Sequence, residues 1–317
     1  MRIEDVKSIT DKLVENIEKV IIGKREIIEK VVVSMITGGS VLLEDVPGTG
    51  KTMLARALAM SVNGEFKRIQ FTPDLLPSDV VGISIYNQKE ETFVFERGPV
   101  FSNILLADEI NRATPRTQSG LLEAMAEKQV TVDGNSYILE KMFFVIATQN
   151  PVETSGTYPL PEAELDRFSM KLSVGYPTKE EELDIIGRYI DANPLESLSP
   201  ICTVDDITEM QKAVKSVFVH QSVREYIADI AVETRQSKGF EAGVSPRATL
   251  CLVNSCQAYA AMQGRNYVTP DDVKYLCRDV FKHRLEPYVE SRSVSAESVL
   301  GAIIENTKVP TEDWRRA

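Results

Sequence analysis

Apolar residues recur every three to four positions near the start of the chain: Val6, Ile9, Leu13 and Ile17, then Ile27, Ile28, Val31 and Met35. That spacing puts each set on one face of a helix, predicting helices over 4–19 and about 24–36, the second stopping at Gly38-Gly39. Val20-Ile21-Ile22-Gly23 breaks the period between them and reads as a helix–helix turn. The pattern then shifts to short unbroken apolar runs: Val41–Leu43, Ile104–Ala107 and Met142–Ala147. Such runs suit strands buried on both faces of a parallel sheet. Lys67–Thr72 and Phe168–Val174 are predicted as two further strands. Strands alternating with helices imply an α/β fold, a parallel sheet flanked by helices with right-handed crossovers.

Two stretches interrupt that alternation. Ile83 and Ile85, then Phe93 and Phe95, flank the polar run Asn87-Gln-Lys-Glu-Glu91, and a second alternation over 129–139 is centred on Asp133-Gly134. Both predict β-hairpins, since Asp-Gly is a strong tight-turn pair. From Tyr176-Pro177 onward the period is helical, with start signals at Thr203 and at Thr269-Pro270, and no strand is expected. The predicted division is residues 1–176, N-terminal helices and the α/β domain, and 177–317, an all-helical lid domain.

Composition narrows the class. A chain of 317 residues with 43% hydrophobic and 26% charged residues fits a globular protein of two domains. No apolar run is long enough to span a bilayer, and the N-terminus lacks a signal-peptide core, so no membrane segment is expected and the cytoplasm is the predicted compartment. A formal net charge of −11 argues against a nucleic-acid partner. Four dispersed cysteines and two isolated histidines form no metal-binding spacing, and read as buried thiols in a reducing compartment.

The chemistry concentrates in Ser40–Thr52. A strand, a Gly-rich turn and then Lys51-Thr52 opening a helix is the order of a P-loop. Pro47, Gly48, Thr49 and Gly50 would curl the backbone so that its N–H groups face a phosphate, with Met53 continuing into the helix. Lys51 adds a charge for the β- and γ-phosphates, and the Thr52 hydroxyl can ligate Mg²⁺. Asp45 stands where the general pattern has Gly; it is expected to point outward, away from the nest. With a nucleotide site beside it, the Ile21-Ile22-Gly23 break gains a second reading, as a segment that packs on a base or sugar.

Asp108 and Glu109 end a buried strand. Asp108 can hold Mg²⁺ through water, and Glu109 can orient and deprotonate the attacking water. Asn150 ends the next strand, where it either forms a turn or bonds the γ-phosphate. Arg167 and Arg247, read singly, are a solvated charge and a residue of a helix's first turn.

In combination these motifs resemble the AAA+ ATPases, and within them the MoxR family. The resemblance rests on Leu43-Glu-Asp-Val-Pro-Gly-Thr-Gly-Lys-Thr52, Phe71-Thr-Pro-Asp-Leu-Leu-Pro-Ser-Asp79, Ala107-Asp-Glu-Ile-Asn-Arg-Ala113, Ala147-Thr-Gln-Asn-Pro151, Glu164-Leu-Asp-Arg-Phe168 and Ser245-Pro-Arg-Ala248. It implies sensor 1 at Asn150, an arginine finger at Arg167 offered to a neighbouring subunit, and sensor 2 at Arg247 reaching the γ-phosphate. Ile21, Ile22 and Gly23 would pack on adenine, and Gln70 would restrain Glu109 until a partner engages. The implied activity is Mg²⁺-dependent ATP hydrolysis by a homo-oligomeric ring, a hexamer. The implied work is chaperone-like maturation of a client protein complex, with a von Willebrand factor A domain protein as partner. A metal chelatase subunit and a DNA-associated motor are the alternatives; the net acidic hairpin tips count against the second.

Overall fold

In a computed structural model of the chain, residues 1–151, 156–287 and 295–311 are described. Helices α1 (Ile3–Glu18) and α2 (Arg25–Ile36) precede strand β1 (Val41–Glu44) and helix α3 (Lys51–Ser61). Strand β2 (Phe66–Gln70) leads through the short α4 (Pro77–Val81) into a hairpin of β3 (Gly82–Asn87) and β4 (Thr92–Arg97). Next come β5 (Ile104–Asp108), α5 (Pro115–Glu127) and a second hairpin, β6 (Gln129–Val132) and β7 (Asn135–Ile138). Strand β8 (Phe144–Gln149), the single turn α6 (Glu162–Leu165) and β9 (Met170–Leu172) complete this part. Beyond it lie α7 (Lys179–Asp191), α8 (Val204–Ala213), α9 (Gln221–Gln236), β10 (Phe240–Ala242), α10 (Pro246–Met262), α11 (Pro270–Phe281), β11 (Glu286–Pro287) and α12 (Ala296–Asn306).

The main sheet has five strands in the order β2-β5-β8-β1-β9, every pair parallel. All strand C-termini therefore open on one edge, where open α/β sheets bind ligands. Central strands bury both faces: Leu42 and Leu105 pack on one side, Val41, Leu43, Ile104 and Leu106 on the other. Edge strand β2 buries only Ile69 and leaves Arg68 and Gln70 exposed. Removing a central side chain, as in Leu106→Ala, costs about 2–5 kcal/mol.

The apolar cluster on the α3 side of the sheet continues through α1 and α2 into Leu252, Leu276 and Val280 of the C-terminal helices. Packing thus runs without a break across residue 176. One expectation is corrected here. The C-terminal part is not free of strands, because β10 and β11 pair antiparallel, Phe240 opposite Pro287. Strands of three and two residues are too short to show a period-two signature.

Both predicted hairpins form, with Ser84 opposite Phe95 and Val130 opposite Tyr137. They are tied together by stacking of Phe95 on Tyr137, ring centroids 4.1 Å apart.

Candidate functional site

The turn after β1 takes its shape from two glycines. Gly48 and Gly50 both sit at φ +87°, a conformation that a Cβ disfavours, and Gly50 is the N-cap of α3. The α3 N-terminus thereby opens into the turn, a natural anion seat. The Lys51 ammonium donates to the carbonyl of Asp45 at 2.8 Å and more weakly to that of Val46 at 3.4 Å. Burial lowers the Lys51 pKa, with Asp45, Asp108 and Glu109 opposing that shift.

Beside this turn lies a cavity of about 420 Å³. Gly48, Thr49, Gly50 and Met53 form one end, and Ile21, Ile22, Val174, Pro177, Ile185 and Tyr189 give it an apolar wall. That pairing of an anion seat with an apolar slot suits a nucleotide, phosphates at one end and base at the other. Gly23 is not part of the lining. Its φ is +70°, and a Cβ there would lie 1.8 Å from the Glu181 carboxylate, so it serves the close approach of α7.

At the ends of β2, β5 and β8 a chain of contacts holds both acidic residues. Thr148 Oγ1 donates to Asp108 Oδ1 at 2.6 Å and accepts the Glu109 amide at 2.8 Å. Arg68 Nη2 donates to Asp108 Oδ2 at 2.6 Å and to Gln70 Oε1 at 3.0 Å. Gln70 Nε2 in turn donates to Glu109 Oε2 at 2.7 Å, an oxygen shared with Arg112 Nη1 at 3.0 Å. Glu109 adopts the left-handed region, φ 54° and ψ 49°, unusual for a residue with a Cβ and a mark of functional sites.

Asn150 is buried, 6% exposed, one residue beyond β8 and beside the end of β1, where the Asp45 amide donates to the Gln149 carbonyl at 3.2 Å. It lines a second cavity, of about 370 Å³, with Glu44, Asn111 and Lys171.

Arg167 and Arg247 lie elsewhere. They share a cavity of about 290 Å³ with Gly38, Gly39 and Ser40, at the start of β1, whereas the P-loop follows the end of that strand. Arg167 is half-buried and donates from Nη1 to the Leu122 carbonyl at 2.8 Å. The structure therefore brings Lys51, Thr52, Asp108, Glu109 and Asn150 to the C-terminal edge of the sheet, and sets Arg167 and Arg247 together at the other.

Asp45 departs from expectation. Its side chain leaves the nest clear, yet it does not face solvent and is only 7% exposed. The carboxylate accepts Ser173 Oγ at 2.9 Å, the Gly175 amide at 3.2 Å and the Val174 amide. An acidic residue is stable there because three donors replace its hydration. Sequence reasoning also passed over Arg68, Arg112 and Thr148. Alternation on β2 was the available signal for Arg68, which shares a face with Gln70.

A P-loop after β1, paired acidic residues at the end of β5 with β8 between the two strands, and a helical C-terminal region define an AAA-type ATPase. The family model "ATPase family associated with various cellular activities (AAA)" matches residues 40–170, and the AAA lid domain model matches 232–303. Chaperone MoxR1 of Mycobacterium tuberculosis is 39% identical over 95% of this chain and 82% of its own length. The uncharacterised YeaC of Bacillus subtilis is 49% identical over 98% of this chain and 97% of its own. A solved structure from Cytophaga hutchinsonii superposes with a TM-score of 0.91 at 37% identity, covering 98% of this chain and 97% of that one. The chain belongs to the MoxR family of AAA+ ATPases.

Proposed function

We propose that this ATPase works as a homo-oligomeric ring, a hexamer, that hydrolyses Mg²⁺-ATP at seams between copies to remodel a client protein complex. Separation of the two residue sets carries this reading: Lys51, Asp108 and Glu109 at one sheet edge, Arg167 and Arg247 at the other. A neighbour's arginine pair would then face the γ-phosphate held by the first copy, with Arg167 as finger and Arg247 as sensor 2. An arginine finger is worth about 10³–10⁵ in rate.

The residues present fit the metal. Among the described residues no group of three or more His, Cys, Asp or Glu side chains is placed to hold a metal ion by itself. One hydroxyl and one carboxylate, Thr52 and Asp108, suit a hard cation that keeps its waters and takes its remaining oxygens from phosphates. Bound there, Mg²⁺ would neutralise charge on the β- and γ-phosphates. Glu109 would accept a proton from the attacking water, Asn150 would position that water or the γ-phosphate, and Lys51 would exchange loop carbonyls for phosphate oxygens. Ile21 and Ile22 would cover the adenine.

The chaperone name of the Mycobacterium tuberculosis relative supports remodelling as the work, and the partner proposed for it is a von Willebrand factor A domain protein. Exposed apolar side chains on the hairpins, Phe93 at 73% and Ile138 at 80%, give such a client something to engage. No helix among the described residues is long and apolar enough to cross a membrane.

Turnover per subunit, measured against protein concentration, tests the seam. It should rise with assembly in the wild type and stay near zero in Arg167→Ala, with nucleotide binding retained. A wild-type rate per subunit that is flat across assembly would remove the neighbour's role.

A further inference from the structure

Asp108 is the carboxylate assigned to Mg²⁺, and neither of its oxygens is idle. Thr148 occupies Oδ1, and the Arg68 guanidinium sits on Oδ2 at 2.6 Å. Arg68 comes from edge strand β2, where it is about half exposed and can swing into solvent, whereas the Asp108 side chain is only 14% exposed. The same Nη2 atom also donates to Gln70 Oε1, and the other end of that amide holds Glu109. A single nitrogen thus joins the metal carboxylate to the residue that restrains the general base.

We propose that Arg68 is a placeholder cation: it neutralises Asp108 before the metal arrives, competes with Mg²⁺ for that carboxylate, and on leaving withdraws the support that keeps Gln70 on Glu109. This rests on the nucleotide reading above. A guanidinium and a divalent cation beside the same carboxylate repel each other, so occupancy by one disfavours the other. When Arg68 leaves Asp108, Gln70 loses a charged donor at Oε1, and its amide is freer to turn away from Glu109 Oε2. Arg112 then remains as the second donor on that oxygen. Metal arrival and release of the base become one event, and the general base is held whenever nucleotide is present without its metal. Arg68 is accordingly a positioning residue that acts through Asp108 and Gln70.

The test separates metal binding from turnover. Mn²⁺ would be titrated into protein saturated with a non-hydrolysable ATP analogue and followed by electron paramagnetic resonance of the free ion. Binding of a fluorescent nucleotide without metal is checked first. Its absence in the wild type would count against the nucleotide reading and not against Arg68. Arg68→Gln should tighten Mn²⁺ by about two- to fivefold, the scale of a partly exposed ion pair, and raise basal turnover. Gln70→Ala should raise turnover while leaving Mn²⁺ affinity within about twofold, since that site is untouched. Arg68→Lys keeps a charge for Asp108 but is a single point donor, so it should hold Mn²⁺ affinity near wild type while raising turnover. This lysine variant also serves if the glutamine variant does not fold. Unchanged or weaker Mn²⁺ binding in Arg68→Gln, or tighter binding in Arg68→Lys, overturns the placeholder role. Metal affinity that moves without any change in turnover overturns the link to Glu109.

Discussion

Gln70 Nε2 lies 2.7 Å from Glu109 Oε2, so the carboxylate assigned to activate water is tied to a side chain of the neighbouring strand β2. One such hydrogen bond is worth about 0.5–1.5 kcal/mol net. Gln70→Ala should therefore raise basal ATP turnover by about two- to tenfold, with nucleotide affinity unchanged. Steady-state kinetics at saturating ATP check this. A drop in turnover would mean that Gln70 aligns Glu109 instead of restraining it.

Asp45 supplies a second expectation. Its carboxylate holds Ser173, Val174 and Gly175, the segment that leads into α7 and lines the nucleotide cavity. Asp45→Asn removes the charge while keeping the shape, and hydrogen bonds to a charged group contribute about 1.5–3 kcal/mol each. Hydrogen exchange should show faster exchange at the Val174 and Gly175 amides, while ATP affinity stays close to wild type because the side chain stands outside the nest. A large change in affinity with unaltered amide protection would place Asp45 in the phosphate site after all.

His283 gives a dependence on pH. Burial, with the Arg284 charge alongside, holds its imidazole well below the ordinary 6.5, although the Phe168 carbonyl opposes the shift. An unfolded chain binds a proton at this residue below about pH 6.5 and the folded chain does not. Stability is therefore complete above that pH and falls as the pH drops toward the folded value, by at most about 1.4 kcal/mol per unit. Denaturant melts of wild type and His283→Gln between neutral and mildly acidic pH should show a shallower decline in the variant. Parallel declines would mean that His283 titrates normally.

Much of this organisation was legible in residue order. Val41–Leu43, Ile104–Ala107 and Met142–Ala147 announce central strands because both of their faces are buried, and Gly50-Lys51-Thr52 marks the phosphate loop because the turn demands those types. The hairpins declare themselves by alternation around Asp133-Gly134 and Asn87–Glu91. Contacts set by register between strands distant in sequence stay hidden. Arg68 meets Asp108 because β2 pairs with β5, with Gln70 opposite Asp108. Asp45 finds Val174 because β9 lies beside β1. The position of Arg247 depends on how α10 packs against α1 and α2, which no local signal specifies.

The opposite placement of Lys51 and Arg167 along β1 has a genetic corollary. Copies lacking Lys51 and copies lacking Arg167 should each be silent alone, since every seam then misses one partner. In an equal random mixture about a quarter of the seams would unite an intact lysine with an intact arginine, as a head-to-tail contact allows. Two dead alleles should thus complement each other, and a mixture as inactive as either parent would show that no catalytic group crosses between copies.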